Sequence, residues 1–175
     1  SEECRAEVEY IFFQLRKELF MKIDDRTARY IGLIIIGDHG QIDINAEDTI
    51  VASEHPQLIS SLIIPPTGDS RASFLYPKKG RRDYVMNYLR KQFSKALTLV
   101  DSEEALKRGL FGRGKFKDSI FERIGQIIVI PKNGVTFHYP YKKMEQGYVL
   151  KGAHAGLSRE EMLIPYLSTK LSDVS

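Results

Sequence analysis

An apolar run rich in isoleucine, Tyr30 to Ile36, constrains the fold of this chain more than any other segment. It follows a predicted amphipathic helix over residues 4–22, in which apolar side chains recur every three or four positions. A continuous apolar run after a helix is typical of a strand that is covered on both faces in a parallel sheet. The chain is therefore predicted to be an α/β protein containing part of a doubly wound, mainly parallel sheet.

The composition excludes several other classes of protein. The 175 residues include 26 lysines and arginines against 23 aspartates and glutamates, a formal net charge of +3, and 42% of them are hydrophobic. Such a chain is globular, neither disordered nor fibrous. Its longest apolar stretch is far shorter than the roughly 20 residues needed to cross a bilayer. The single cysteine, Cys4, excludes an internal disulfide and a thiolate metal cage.

The first residues, Ser1-Glu2-Glu3, include neither an initiator methionine nor an apolar signal segment. We interpret the sequence as a piece of a longer protein, or as a chain from which a segment has been removed. Because the natural N-terminus is not visible, the location stays unknown, with a cytoplasmic one favoured.

The middle of the chain, residues 67–140, is predicted to form an inserted α+β subdomain within a core made of residues 1–66 and 141–175. Strands are predicted at 58–64, 72–76 and 97–100, helices at 82–93, 101–108 and 116–123, and a hairpin at 126–130 and 135–139. After the insertion, Ser158 and Glu161 have the spacing of a helix capping box. Pro165 prevents that helix from continuing.

The dipeptide Asp38-His39 directly follows the isoleucine-rich strand and is flanked by Gly37 and Gly40. In open α/β sheets, sites form at the carboxyl ends of strands. The glycines permit the turn that would bring both side chains to one point, where a carboxylate and an imidazole can begin a Zn²⁺ site. The alternative is that Asp38 caps the following loop and His39 is merely exposed.

The other three histidines differ in their surroundings. His154 lies in a loop of small residues, Gly-Ala-His-Ala-Gly, which leaves room for a ligand, although a surface turn would look similar. His55 precedes a proline in a polar loop, and His138 alternates with aromatic residues in a predicted strand. We expect His55 and His138 to be structural or solvated.

Basic residues are concentrated between Arg71 and Lys95, with aromatic residues among them. This pattern also occurs in nucleic-acid-binding proteins. However, the aromatic residues fall at core-facing positions and the net charge of the whole chain is small. A solvated helix face is therefore favoured, and nucleic-acid binding is not expected.

Four segments, taken in order, resemble one known family. They are Gly37-Asp38-His39-Gly40-Gln41, Gly109-Leu110-Phe111-Gly112, Arg123-Ile124-Gly125, and the run from Gly152 through His154-Ala155-Gly156-Leu157-Ser158 to Pro165. Together they resemble the C-terminal part of the alkaline-phosphatase superfamily, in particular its type I phosphodiesterase/nucleotide pyrophosphatase branch. The resemblance covers essentially the whole chain.

The resemblance implies an alkaline-phosphatase-like fold and a site with two divalent metal ions, usually Zn²⁺, with Mn²⁺ as the alternative. It implies that Asp38 and His39 bind the ion that activates the nucleophile, and that His154 binds the ion that holds the substrate phosphate. The three side chains should then converge at one edge of the sheet. The implied reaction is two-metal phosphoryl transfer through a threonine or serine nucleophile.

The sequence departs from the family pattern in two ways. Ala155 stands where the family usually has a glycine, which restricts the turn. In addition, the family's nucleophile and its remaining metal ligands have no counterpart in these 175 residues. The resemblance is therefore to a C-terminal fragment that begins just past those residues, and the isolated chain is expected to be inactive.

The implied function of the intact parent is hydrolysis of a phosphodiester or a nucleotide pyrophosphate, with a small-molecule phosphate ester or nucleotide as substrate and no membrane partner. Phosphomonoester hydrolysis and phosphoglycerate-mutase-like transfer are alternatives within the superfamily. An alternative of another class is a non-catalytic module that binds an anionic partner through the basic insertion. Self-association through an exposed sheet edge is expected for the fragment.

Overall fold

A computed structural model describes residues 1–141 and 150–174 of the chain. Its strands are β1 Gly32–Ile36, β2 Ile42–Asp43, β3 Thr49–Val51, β4 Thr67–Asp69, β5 Ala72–Leu75, β6 Leu97–Asp101, β7 Ile127–Pro131, β8 Thr136–His138, β9 Gly152–Ala153 and β10 Tyr166–Lys170. Its α-helices are α1 Glu2–Glu18, α2 Asp25–Ala28, α3 Pro56–Ile59, α4 Arg82–Phe93, α5 Ser102–Lys107, α6 Ile120–Ile124 and α7 Arg159–Met162.

Contacts divide the chain into two compact units. The first unit comprises Ser1–Asp38 and Ile164–Ser175, and the second comprises His39–Leu163. The predicted insertion, residues 67–140, lies wholly within the second unit, and its existence as a separate subdomain stays a prediction. Residues 142–149 of the predicted core lie outside the described residues.

The first unit has only a small core, in which Phe20, Ala28 and Leu171 are buried. The predicted helix over 4–22 is confirmed as α1 followed by a 3₁₀ turn at Phe20–Lys22, and the Ser1 hydroxyl caps it by accepting the Cys4 N–H at 3.3 Å. No residue of α1 is buried. An apolar groove of about 430 Å³ is lined by side chains that include Phe12, Leu33 and Leu167.

Strand β1 was predicted to be covered on both faces in a parallel sheet. It is found instead in a two-stranded antiparallel pair with β10, in which Ile34 lies opposite Ser168. Ile34 and Ile36 remain 62% and 59% exposed. The apolar run therefore predicted the strand correctly. Within the part of the chain that the structure describes, however, nothing covers its second face.

The second unit contains a four-stranded antiparallel sheet in the order β4-β5-β7-β6. Helix α4 packs on this sheet and buries Val85, Met86 and Leu89, as its predicted apolar face requires. The core around them is apolar and includes Leu58, Leu75, Leu97, Ile127, Val129 and Phe137. This larger core makes the second unit the scaffold for the histidine loops described below.

Two predicted elements in this unit were wrong. The strand predicted at 58–64 is replaced by α3 and a turn, because Pro56 starts a helix and the Ser61 hydroxyl bonds back to the Gln57 carbonyl at 2.8 Å. The hairpin predicted at 126–130 and 135–139 does not form. Strand β7 already has β5 and β6 on its two edges, so β8 pairs in parallel with β3.

The described residues contain no helix with the length and apolar character that a transmembrane span requires.

Candidate functional site

A short antiparallel pair brings the two histidine loops of the second unit together. Strand β2 begins shortly after His39, and β9 ends just before His154. Ile42 of β2 lies opposite Ala153 of β9, and the Ile44 N–H donates to the Lys151 carbonyl at 2.9 Å. The backbone pairing thus fixes the two loops side by side although they are distant in the sequence.

The imidazole rings of His39 and His154 stack on each other. Their centroids are 3.8 Å apart and their planes are inclined by 21°. His39 is exposed and His154 is half-buried. The convergence expected for these two histidines is therefore present in the second unit, at a loop edge that solvent reaches.

A hydrogen bond orients the His39 ring. Its Nδ1 lies 2.8 Å from the carbonyl oxygen of Gly40, which can only accept a hydrogen bond. In the neutral ring, Nδ1 therefore carries the proton and Nε2 carries the lone pair. This is the tautomer of a histidine that binds a metal through Nε2, with a backbone carbonyl holding its other nitrogen.

Asp38, the third predicted ligand, is exposed and is the last residue of the first unit. Its role as a metal ligand stays a prediction, as do the ligand roles of His39 and His154. In residues 1–141 and 150–174, no group of three or more histidine, cysteine, aspartate or glutamate side chains is arranged to hold a metal ion.

The backbone of α7 lies directly against the loop that carries His39. The Gly40 N–H donates to the Glu161 carbonyl at 2.9 Å, and a Cβ at position 40 would lie 1.8 Å from the Glu160 carbonyl oxygen. No side chain fits at that distance. Gly40 is therefore needed for this close approach, in addition to its place in the loop sequence.

The predicted capping box at the start of α7 is confirmed. The Ser158 hydroxyl accepts the Glu161 N–H, and the Glu161 carboxylate accepts the Ser158 N–H, each at 3.3 Å. Burial alone would raise the pKa of Glu161. Hydrogen bonds from Arg71, Gly156 and Ser158 outweigh that effect and lower the pKa to about 2.

Arg71 was predicted to belong to a solvated basic face, and this was wrong. Its side chain is 1% exposed and forms a two-pronged ion pair with Glu161, with Nε–Oε1 and Nη2–Oε2 distances of 2.9 and 2.8 Å. Sequence reasoning missed this pair because the two residues are 90 positions apart. The one local signal is that Arg71 directly precedes β5, whose side chains alternate in burial.

The other two histidines lie elsewhere in the second unit. His55 packs edge-on against Phe93 and its Nδ1 lies 3.0 Å from the Tyr88 hydroxyl, so it has a packing role. The Nε2 atom of His138 is buried without a hydrogen-bond partner among the described residues. Neither residue takes part in the stacked pair.

Ala155, which stands where the resembled family usually has a glycine, has a φ of +83°. This left-handed conformation costs an L-residue about 1–2 kcal/mol, whereas glycine adopts it freely. We therefore expect Ala155→Gly to raise the melting temperature by about 2 °C, the net of relieved strain and the extra entropy of glycine in the unfolded chain.

Ala153→Gly is the matched control for this prediction, because Ala153 is buried in β9. There the same exchange removes a packed methyl group and should lower the melting temperature. Differential scanning calorimetry of both variants tests the assignment. A lower melting temperature for Ala155→Gly would contradict a strained backbone at position 155.

No protein-family model matches the chain, and no curated protein matches its sequence. Solved structures do match. Murine ectonucleotide pyrophosphatase/phosphodiesterase 5 aligns over 95% of this chain and 39% of its own, with a TM-score of 0.60 and 19% identity. The human protein of the same name has the same coverage and TM-score with 20% identity. Phosphonoacetate hydrolase from Sinorhizobium meliloti 1021 aligns over 78% of this chain and 35% of its own, with a TM-score of 0.54 and 18% identity.

These matches define the class of fold. The chain shares its α/β fold with these structures, which agrees with the class of fold that the sequence resemblance implied. It spans 39% of the length of the nucleotide pyrophosphatase/phosphodiesterases that it matches. An inactive threonine-to-alanine variant of the murine protein has been solved in complex with AMP, and the phosphonoacetate hydrolase in complex with phosphonoformate.

Proposed function

We propose that the intact protein containing this chain is a metal-dependent hydrolase of phosphodiester or nucleotide pyrophosphate bonds. In this proposal, Asp38, His39 and His154 are metal ligands and a threonine or serine nucleophile lies outside these 175 residues. The observation that carries it is the stacked pair of His39 and His154 in a fold shared with nucleotide pyrophosphatases.

The two histidines are close enough to contribute ligands to one site. Their ring centroids are 3.8 Å apart, and two-metal phosphatases hold their ions only about 3.5–4 Å apart. The His39 tautomer presents Nε2 as its ligand atom. Imidazole nitrogen and carboxylate oxygen are ligands for Zn²⁺, and Mn²⁺ is the alternative ion.

Bound divalent ions would supply charge stabilisation for the phosphoryl oxygens and a lowered pKa for the nucleophile. The chain's own residues would hold the two ligand rings at a fixed separation. His39 is exposed, so a small phosphate ester can reach its ring. The AMP and phosphonoformate complexes of the structural neighbours support a small phosphoryl or phosphonyl ligand as the substrate class.

The test is an assay of the longer protein that contains this chain, compared with its His39→Ala and His154→Ala variants. The substrates are a p-nitrophenyl nucleotide diester, p-nitrophenyl phosphate and phosphonoacetate, with Zn²⁺ or Mn²⁺ added. We expect the diester to be preferred and each variant to lose at least about 100-fold in kcat/KM, since each loses a metal ligand.

His55→Ala is the control for that assay, because His55 lies outside the stacked pair. A preference for the monoester would favour the phosphomonoesterase alternative, and transfer of the phosphoryl group to an acceptor alcohol would favour the mutase-like one. Full turnover in the His154→Ala variant would contradict the proposed site.

The basic segment between Arg71 and Lys95 is predicted to attract an anionic substrate to the complete enzyme. Four of its cations are clustered, namely Lys78, Lys79, Arg81 and Arg82. The Lys78 ammonium donates to the Ser60 carbonyl, Arg82 pairs with Asp101, and Arg81 lies over the Tyr84 ring. Lys79 and Arg81 are exposed and are the residues to test.

We expect the double substitution Lys79→Glu and Arg81→Glu to lower kcat/KM of the complete enzyme about tenfold at low salt and less than twofold at about 0.5 M salt. The reason is that electrostatic steering of an anionic substrate is screened by salt. Arg90→Glu with Lys91→Glu makes the same charge change further along α4 and is the control. A kcat/KM of the Lys79→Glu/Arg81→Glu variant that differs from wild type equally at low and high salt would show that the segment is an ordinary solvated surface.

A further inference from the structure

A buried ion pair in the second unit, Arg71–Glu161, is hydrogen-bonded to the histidine loops. The Arg71 and Glu161 side chains are 1% and 0% exposed, and the third guanidinium nitrogen, Nη1, donates to the Val135 carbonyl at 2.5 Å. Removing two charges from water carries a large desolvation penalty, so such a pair contributes little net stability compared with apolar packing. Net stability therefore does not account for the burial of this pair, and its hydrogen-bond geometry indicates another role.

Glu161 is bonded to both histidine loops at once. Its carboxylate oxygen Oε1 accepts the Gly156 N–H at 2.9 Å, two residues after His154. Its backbone carbonyl accepts the Gly40 N–H at 2.9 Å, one residue after His39. Glu161 is therefore hydrogen-bonded to both loops that carry the stacked rings.

The fit around this carboxylate is tight. A Cβ at position 156 would lie 2.4 Å from Glu161 Oε2, so the carboxylate occupies the space that any larger residue would need. The two-pronged guanidinium of Arg71 fixes the plane of the carboxylate from the other side. A lysine could not hold that plane, because its ammonium is a point charge.

We propose that the Arg71–Glu161 ion pair is a positioning device that holds the His39 and His154 loops in register, so that the two rings stay stacked. Arg71 and Glu161 act through the loops and touch no substrate. The consequence for metal affinity rests on the proposed function, whereas the consequence for ring stacking does not.

The test uses the 175-residue chain and the variants Arg71→Met, Arg71→Lys and Glu161→Gln. The first measurement is the proton NMR spectrum of the four histidines, because stacked rings shift each other's protons upfield. His55 and His138 are internal references. The second measurement is the Zn²⁺ dissociation constant by titration calorimetry.

Arg82→Met is the matched control, since it breaks the half-buried Arg82–Asp101 pair of the same unit. We expect Arg71→Met and Glu161→Gln to lose the upfield shifts of His39 and His154 and to weaken Zn²⁺ binding 10–100-fold. Arg71→Lys keeps the buried positive charge and is the variant expected to fold even if Arg71→Met does not. It should lose part of the upfield shifts and part of the Zn²⁺ affinity. Arg82→Met should change neither.

Unchanged histidine shifts in a folded Arg71→Lys or Glu161→Gln chain would overturn the positioning role. Loss of the shifts would support the positioning role whether or not the wild-type chain binds Zn²⁺, because the chain holds only three candidate ligands for two ions. The positioning role of the ion pair and the proposed metal site are therefore tested by separate measurements.

Discussion

The 175-residue chain by itself is expected to hydrolyse a chromogenic phosphodiester no faster than buffer containing the same Zn²⁺ or Mn²⁺. A catalytic zinc site uses about three protein ligands for each ion. This chain offers three candidates for two ions, Asp38, His39 and His154, and the proposed nucleophile lies outside it. Enzymes of ordinary efficiency turn over at about 1 s⁻¹ or more, so the difference from background is large.

Turnover at such a rate, abolished by Asp38→Ala but retained by the control Asp43→Ala, would show that the chain holds a complete site. The assay must be made on a dispersed sample, because α1 buries no residue and Ile34 is 62% exposed. Exposed apolar surface and an unpaired strand edge favour self-association. Light scattering at the assay concentration supplies that check.

Acid is expected to remove about 3 kcal/mol of stability through Glu161 alone. Its pKa is lowered from 4.5 to about 2 in the folded chain, so between these values the unfolded chain binds more protons. The contribution is fully present above pH 4.5 and is lost as the pH falls toward 2. The free energy follows from about 1.4 kcal/mol for each tenfold change in proton affinity.

Urea unfolding at pH 6 and pH 3 measures about 2 kcal/mol of this effect, because pH 3 still lies above the pKa of Glu161 in the folded chain. Glu161→Gln should be less stable than wild type at pH 6 by about 3–5 kcal/mol, because it leaves Arg71 buried without a counter-charge. It should also lose less stability than wild type between pH 6 and pH 3, since it lacks the titrating group. An equal loss in both proteins would contradict the assigned role of Glu161.

The control for that measurement is Glu103→Gln. Glu103 forms a long, exposed pair with Lys107, at 3.9 Å and with both side chains about 70% exposed. Exposed helix pairs contribute only about 0.3–0.5 kcal/mol. Comparing Glu161→Gln with Glu103→Gln separates the effect of burial from the loss of a carboxylate alone.

Local features of this protein were predictable from the sequence. Helix α4 was predicted at 82–93 and is found there, because its apolar residues recur at the helical period. Strand β5 and the capping box at Ser158 were also found where they were expected. These features depend on residues within a few positions of each other, so a single sequence contains the information.

The candidate site was predictable in part. His39 was predicted from the glycine-flanked Asp38-His39 dipeptide and His154 from its loop of small residues, and their joint placement came from the family resemblance. The stacking of the rings depends on the β2–β9 pairing, which no local pattern indicates. The strain at Ala155 follows from a backbone angle that the loop imposes on it.

The sequence by itself determined the positions of the candidate site residues, His39 and His154. The end of an apolar strand and a loop of small residues are both local signals. Only the tertiary structure decided which strands pair and which charges are buried. Strand β8 pairs with β3 because both edges of β7 are occupied. Arg71 is buried because a carboxylate 90 residues away matches its two-pronged geometry. Periodicity reports the burial of a residue relative to its neighbours along the chain, whereas the partner of a strand or a charge depends on what folding brings beside it.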